Sequence, residues 1–285
     1  MKPLVLGTHL YPAHGAAATR LRHALDSWTR LPGVRLINLQ FAGDPAPSTH
    51  AAFETLAVLR EDSRTLSGCD GPRKPSVREM LDHLVAAAAA SGGQYAGFSN
   101  ADIVISPAAI ARVAAGTRDA VIFSRMDVDP ETGDPHGESL GGQDTLFIRT
   151  AAYRSLRPRL RPYIIGEAPW DVAYTSILLS HCDADLVNRG DECRHVAHDM
   201  IWRDSPFAGY SHRLARRDWV YFARWYRYYN AAKSMRAAGR PAAEEAAARD
   251  AVFGELTLRE RGEHLYRQLR HGLLPPRTGD RPLVQ

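Results

Sequence analysis

Leu4-Val5-Leu6, a helix-forming stretch from Ala16 to Thr29, and Val34 to Phe41 follow one another at the start of the chain. Pro12 and Gly15 break the first join, and Pro32-Gly33 the second. Strand, helix, strand in that order favours parallel pairing, because a crossover helix returns the chain to the same edge. A parallel sheet buries both of its faces, so it needs helices above and below. With 285 residues the chain can build one large α/β domain or two small ones.

The rest of the pattern extends this unit. Gly43 to Ser48 reads as a loop, and Phe53 to Leu59 is apolar and fits either a helix or a strand. Ser63 to Pro75 reads as a loop. Ser76, with Glu79 three residues on, has the spacing of a capping box. The helix it opens runs through Met80, Leu84 and an alanine tract until Gly92-Gly93. Tyr95 to Phe98, Ala120 to Phe123 and Thr145 to Ile148 read as strands, and Asp185-Leu186-Val187 as a further short one. Pro107 to Ala115, Ala151 to Leu156 and Trp170 to His181 read as helices. Asp127 to Gly142, rich in glycine, proline and acid, reads as a mobile polar loop. From Asp218 the pattern changes: Trp219, Phe222, Ala223, Tyr226 and Tyr229 fall on one helical face. Ala242 to Gly254 and Thr257 to His271 continue as a helical tail, and Pro275-Pro276 begins a frayed end.

Charge follows the same division. The net charge is +4, but residues 212–285 alone carry +7, leaving −3 on residues 1–211. We therefore expect a domain over 1–211 and a basic, aromatic-rich helical extension over 212–285. Its Arg216, Arg217, Arg224 and Arg227 interleave with Trp219, Trp225, Tyr226, Tyr228 and Tyr229. Such a stripe packs as core, stacks bases, or seats a helix at a membrane interface. Cys69, Cys182 and Cys193 form no paired spacing, which fits a reducing compartment. Met1-Lys2-Pro3 runs straight into an apolar strand without a signal-peptide pattern, so a cytoplasmic location is expected. There is no GxxxxGK[ST], no GxGxxG after the first strand, no GxSxG and no HExxH. P-loop kinases, dinucleotide oxidoreductases, α/β-hydrolases and zincins lose ground accordingly.

Three constellations carry chemistry. Asn100-Ala101-Asp102 follows the strand Tyr95 to Phe98 and precedes Ile103-Val104-Ile105, with Arg73-Lys74 upstream of the helix before it. Carboxylates, carbonyls and phosphates are the ligands of magnesium and manganese. Gly166-Glu167-Ala168-Pro169-Trp170-Asp171 then opens an apolar helix, whose N-terminus favours an ionised carboxylate. His195-Val196-Ala197-His198-Asp199 is the third. In an extended segment the two imidazoles point to opposite sides, which leaves one as a ligand; the apolar Met200-Ile201-Trp202 that follows favours His198.

The order basic residue, helix, strand, Asx-x-Asp resembles the nucleotide-sugar domain of GT-A-fold glycosyltransferases, over residues 3 to 202. The resemblance implies a Rossmann-type three-layer sandwich with a mixed, mainly parallel sheet, here with a helical C-terminal extension. It implies a divalent cation, manganese or magnesium, on Asp102 and His198. Asn100 departs from the family's Asp-x-Asp and removes one charge. It implies Asp171 as the base that takes the acceptor proton, with Glu167 second, in an inverting transfer. Arg73 and Lys74 would meet the diphosphate, and Asn100 the ribose or the metal shell. Asp144, after Gly141-Gly142-Gln143, would bond a sugar hydroxyl, and Trp170 sits at the acceptor segment. Thr8, His9 and Tyr11, just past the first strand, would line the nucleotide pocket. Expected partners are a nucleotide-sugar donor and a saccharide or lipid-linked acceptor in cell-surface polysaccharide or glycoconjugate synthesis. No nucleic acid is expected, and the basic helices are expected to touch the inner face of the membrane. Two other classes compete. A nucleotidyltransferase would carry a glycine-rich basic loop after the first strand, where residues 7 to 20 offer only Gly7 and Gly15. A non-catalytic binding module would use the basic tail alone.

Overall fold

The structure, a computed structural model, describes residues 4–44, 51–136, 140–198 and 204–273. The elements are β1 Leu4–Thr8, α1 Gly15–Trp28, β2 Val34–Phe41, β3 Phe53–Leu59, α2 Ser63–Ser67, α3 Val77–Ala90, β4 Tyr95–Ser99 and β5 Ile103–Ile105. They continue with α4 Pro107–Ala115, β6 Ala120–Phe123, β7 Met126–Val128, β8 Thr145–Arg149, α5 Thr150–Leu156, α6 Trp170–His181, β9 Ala184–Val187 and β10 Cys193–Val196. Four helices close the described chain: α7 Ala208–Arg217, α8 Trp219–Ala237, α9 Ala242–Val252 and α10 Leu258–Leu273.

A seven-stranded sheet has the order β3-β2-β1-β4-β8-β6-β9. Only β8 runs antiparallel to its neighbours, β4 and β6. This is the mixed, mainly parallel sheet expected from the sequence. The ambiguous stretch at Phe53 resolves as β3, paired parallel to β2. All residues of β1 and β4 are buried, as central strands covered on both faces must be. One core packs α3, α6 and α8 on the sheet through Val5, Leu39, Phe98, Tyr174 and Trp225. The other packs α1 and α4 on the opposite face through Leu6, Trp28, Ile110 and Phe147. Gly97 in β4 makes this second packing possible: a Cβ there would lie 2.4 Å from Phe147 Cε1.

A second, three-stranded sheet, β5-β10-β7, stands beside the first. In it His195 lies opposite Ile103 on one side and Asp127 on the other.

Four local expectations change. The stretch Ser63 to Pro75 is not all loop: Asp62 accepts from Thr65 N at 2.9 Å and starts α2. Ser76 does cap α3 by accepting from Glu79 N at 3.1 Å. Glu79, however, accepts from the amides of Arg60 and Glu61 at 2.8 and 2.9 Å, so it ties the chain before α2 to α3. The polar loop from Asp127 begins as strand β7, and residues 137–139 within it lie outside the described residues. The buried residues of α8 are Val220, Tyr221, Phe222, Arg224, Trp225, Tyr228 and Ala232, so of the face read by periodicity Phe222 is fully buried. Trp219, Tyr226 and Tyr229 pack at its margin. Because α8 joins the same core as the sheet, residues 1–211 and the helices after them share one hydrophobic interior. Pro275-Pro276, the prolines of 43–48 and Asp199 to Trp202 lie outside the described residues.

Candidate active site

The site lies past the end of β4, where the main sheet meets the small one. Its turn is pinned twice: Ile103 N donates to Asn100 O at 3.3 Å, and Asn100 N to Asp144 O at 3.0 Å. Asp102 projects from that turn. Its Oδ2 lies 3.5 Å from Nε2 of His195 and 3.5 Å from Nε2 of His198. One ligand atom from each of the three lies within 4.8 Å of the others. Both histidines reach the same carboxylate because β10 ends at Val196 and the chain leaves the extended path before His198. The expectation that only one of them faces the site assumed the strand would continue.

The donor set fits a single cation. Bonds of about 2.1 Å around one ion leave neighbouring ligand atoms roughly 3 Å apart, so a small contraction closes the triad. His195 Nδ1 bonds Asp127 Oδ1 at 2.8 Å, which fixes the ring and turns Nε2 toward Asp102. Burial pushes the Asp102 carboxyl up, but its contacts with His195 and His198 outweigh burial and hold it well below the usual range. Burial likewise lowers the His195 imidazole, yet Asp102 and Asp127 outweigh that and bring it up to about 9. A cation here competes with a proton for Nε2.

Around the triad runs a belt of polar contacts. Arg125 donates to Asp127 Oδ1 at 3.0 Å and makes a short contact with Asp144 Oδ2. Asp144, 4% exposed, also accepts from Asn100 Nδ2 at 2.9 Å. Asn100 therefore faces Asp144, and its buried Oδ1 has no hydrogen-bond partner. Burial raises the Asp144 carboxyl despite Arg125 beside it. Asp171, half-buried in the first turn of α6, feels this charge: burial first and Asp144 second push it up to about 6, against the Val172 amide and Arg125.

The other expected residues are placed as follows. Glu167 is buried and paired with Lys74 Nζ at 2.6 Å. Arg73 bonds Asp44 and Asp62 at 2.6 and 3.0 Å and stacks on Phe41 at 4.2 Å. Both cations are thus held by internal carboxylates. Trp170 is 3% exposed and meets Phe98 and Tyr174 edge-on, as a core residue does. Thr8 is fully buried with Oγ1 unpartnered. His9 donates from Nδ1 to Leu39 O at 2.8 Å, and burial lowers its pKa. Tyr11 is 46% exposed, and its hydroxyl is raised by burial and then by the Asp102 charge. Asp127 went unread as a site residue because it opens a segment taken for a loop, and Arg125 because it lies in the unassigned join between that loop and the strand before it. The alternation Met126-Asp127-Val128 is the signal that marks a strand there.

In the aromatic tail, Trp225 and Tyr228 are buried, and Arg224 is 3% exposed by its side chain and paired with Glu260 at 2.7 Å. These groups are not open to bases or lipid. Among the described residues no helix is long and apolar enough to cross a membrane.

No protein-family model and no curated protein matches the chain. Among solved structures it is similar to TarS of S. aureus, with 12% identity and a TM-score of 0.42, over 74% of this chain and 38% of TarS. It is similar to the mannosyltransferase PcManGT from Pyrobaculum calidifontis, in complex with GDP-Man and Mn2+, with 11% identity and a TM-score of 0.42, over 93% of this chain and 73% of that one. It is also similar to the galactosyltransferase LgtC, in complex with donor and acceptor sugar analogs, with 10% identity and a TM-score of 0.35, over 74% and 94%. The chain spans 38% of the length of TarS.

Proposed function

We propose that this chain moves a sugar from a nucleotide-diphosphate donor to an acceptor hydroxyl with the help of a divalent cation. The observation that carries the reading is the convergence of Asp102, His195 and His198 on one point, together with a carboxylate, Asp171, that feels Asp144 and Arg125 of the surrounding belt and is brought up to about 6. Asp102 and the two histidines would hold the cation, and two imidazoles favour manganese over magnesium. When bound, the cation supplies positive charge where the diphosphate leaves. Asp171 is ionised at neutral pH and basic enough to take a proton. The acceptor oxygen then bonds to the anomeric carbon, its proton passes to Asp171, and the carbon–phosphate-oxygen bond breaks with its electron pair on the diphosphate. A base on the acceptor side gives inversion. Lys74 and Arg73, held by carboxylates, contribute to the donor site only if ligand exchanges those partners, and Tyr11, exposed past β1, would line the nucleotide pocket. We place the reaction on the cytoplasmic side, in cell-surface polysaccharide or glycoconjugate synthesis.

A thermal-shift screen of nucleoside diphosphates with and without manganese tests this. A ligand that binds only the folded state raises the melting temperature with its excess over Kd. The expected result is a manganese-dependent rise with one nucleotide, lost in Asp102→Ala. No rise with any nucleotide sinks the reading, and release of pyrophosphate in place of nucleoside diphosphate turns it to nucleotidyl transfer.

A further inference from the structure

Helix α10 is built inside out. Glu260, His264, Arg267 and Gln268 face the body of the protein. Glu260 takes the buried Arg224 at 2.7 Å, His264 meets the Tyr221 ring at 5.3 Å, and Arg267 lies over Trp219 at 5.4 Å. Gln268 bonds Arg161 at 2.5 Å and Arg217 O at 3.1 Å. The opposite stripe is Leu258, Leu265, Tyr266 and Leu269, exposed to 87, 61, 56 and 55%. Of the five large hydrophobic residues exposed among the described residues, four stand on this one stripe. Amphipathic helices turn such a stripe toward an apolar partner, and here the polar side is already engaged.

Charge selects the partner. Arg259, Arg261 and Arg270 are exposed along the stripe, with Arg261 paired to the exposed Glu255 at 3.1 Å. The acids of the helix are spent inward or sideways: Glu260 on Arg224, and Glu263 on Arg267 at 2.9 Å. A second copy docked stripe to stripe would set arginines against arginines. Residues 274–285 bring two more arginines against one aspartate, so this tail shares the sign of the rim. An apolar stripe rimmed by arginine matches the boundary between headgroups and acyl chains of an anionic bilayer. We propose that α10 docks this protein onto an anionic membrane surface, with Leu258, Leu265, Tyr266 and Leu269 entering the headgroup boundary and the arginines on lipid phosphates. This inference stands apart from the sugar-transfer reading.

The test is flotation of the full chain with vesicles of phosphatidylcholine alone or with about 30% phosphatidylglycerol. The expected result is partition onto the anionic vesicles at least about tenfold above the neutral ones, weakened as salt rises. Leu265→Glu with Leu269→Glu lowers it by about tenfold or more, and Tyr266→Ser by a smaller factor. Both leucines are more than half exposed, so melting stays unchanged and reports folding. Absence of binding to anionic vesicles, or binding undiminished in the double variant, overturns the proposal. So does a wild-type dimer in sedimentation that the double variant dissociates, which assigns the stripe to a second copy.

Discussion

Carboxylates behave differently at the sheet edge and in the helical layer. In the helices, Glu245 is buried and loses solvation, but Arg236 and Arg189 outweigh that and hold it down to about 2. Glu260 is held down to about 2, by Arg224 first. At the site, Asp144 is raised and Asp171 is pushed up to about 6 although Arg125 stands beside them, while Asp102 and Asp127 are held, against burial, below the usual range by the histidines and, for Asp127, Arg125. The helical layer supplies cations to its acids in excess, as structural anchors need. The site gathers Asp102, Asp127, Asp144 and Asp171 around Arg125 and His195, and leaves part of the negative charge unmatched. Such under-compensation is what a cation and a proton-accepting group require. Asp218 crosses the division: burial among the helices raises it to about 6, against Arg161 at 3.7 Å, the Tyr163 hydroxyl and Arg217.

The largest test of this contrast is Asp171→Asn. It should lower kcat by roughly a hundredfold to ten-thousandfold, with donor affinity kept. In the parent protein the rate should rise with pH through about 6, the value of Asp171, and the variant should lose that limb. A pH–rate profile unchanged in Asp171→Asn would remove it as the base. Asp171 should act on stability in the opposite sense. Its folded pKa is raised, so its stabilising contribution is present when protonated and is lost as pH climbs from about 4 to about 6. Asp171→Asn should therefore melt higher than the parent at pH 7.

In the helical layer, Glu245→Ala leaves Arg236 and Arg189 without a partner beside the buried Asn188 and Tyr228. The expected loss is about 3–5 kcal/mol in denaturant unfolding. Acid should act on the same groups. The folded pKa of Glu245 and Glu260 is depressed to about 2, so their contribution is present above the unfolded value and lost as pH falls from about 5 toward 2. A melting temperature flat across that window would break the comparison. The smallest effect belongs to Asn100→Asp. It removes the donor to Asp144 and sets two carboxylates together, for about 1–2 kcal/mol at pH 7, with less lost at pH 5.

The order of strands and helices was legible because burial on both sheet faces leaves continuous apolar runs, as in Leu4-Val5-Leu6 and Tyr95 to Phe98. Asp102 stood out because it closes such a run. Arg125 and Asp127 did not, since β7 is three residues long and becomes a strand only by pairing with β10. The buried face of α8 was read only in part, with Phe222 buried and Trp219, Tyr226 and Tyr229 at its margin, because its aromatic residues surround the helix and periodicity selects no single side. Arg73, Lys74 and Trp170 carried a functional expectation that their partners, distant in sequence, redirect to ion pairs and core.

By itself the sequence determined a parallel βαβ start, a carboxylate at the end of a central strand, an acid at a helix N-terminus and a basic helical tail. These are local properties, written in short-range periodicity and capping. Only tertiary structure decided that His195 and His198 both meet Asp102, that Arg125 joins Asp127 to Asp144, and that α10 turns its leucines outward. The contacts of Asp102 with the histidines and of Arg125 with Asp144 link elements separated in the chain. A single side chain's charge and burial are set by what the fold brings beside it, not by its neighbours in sequence.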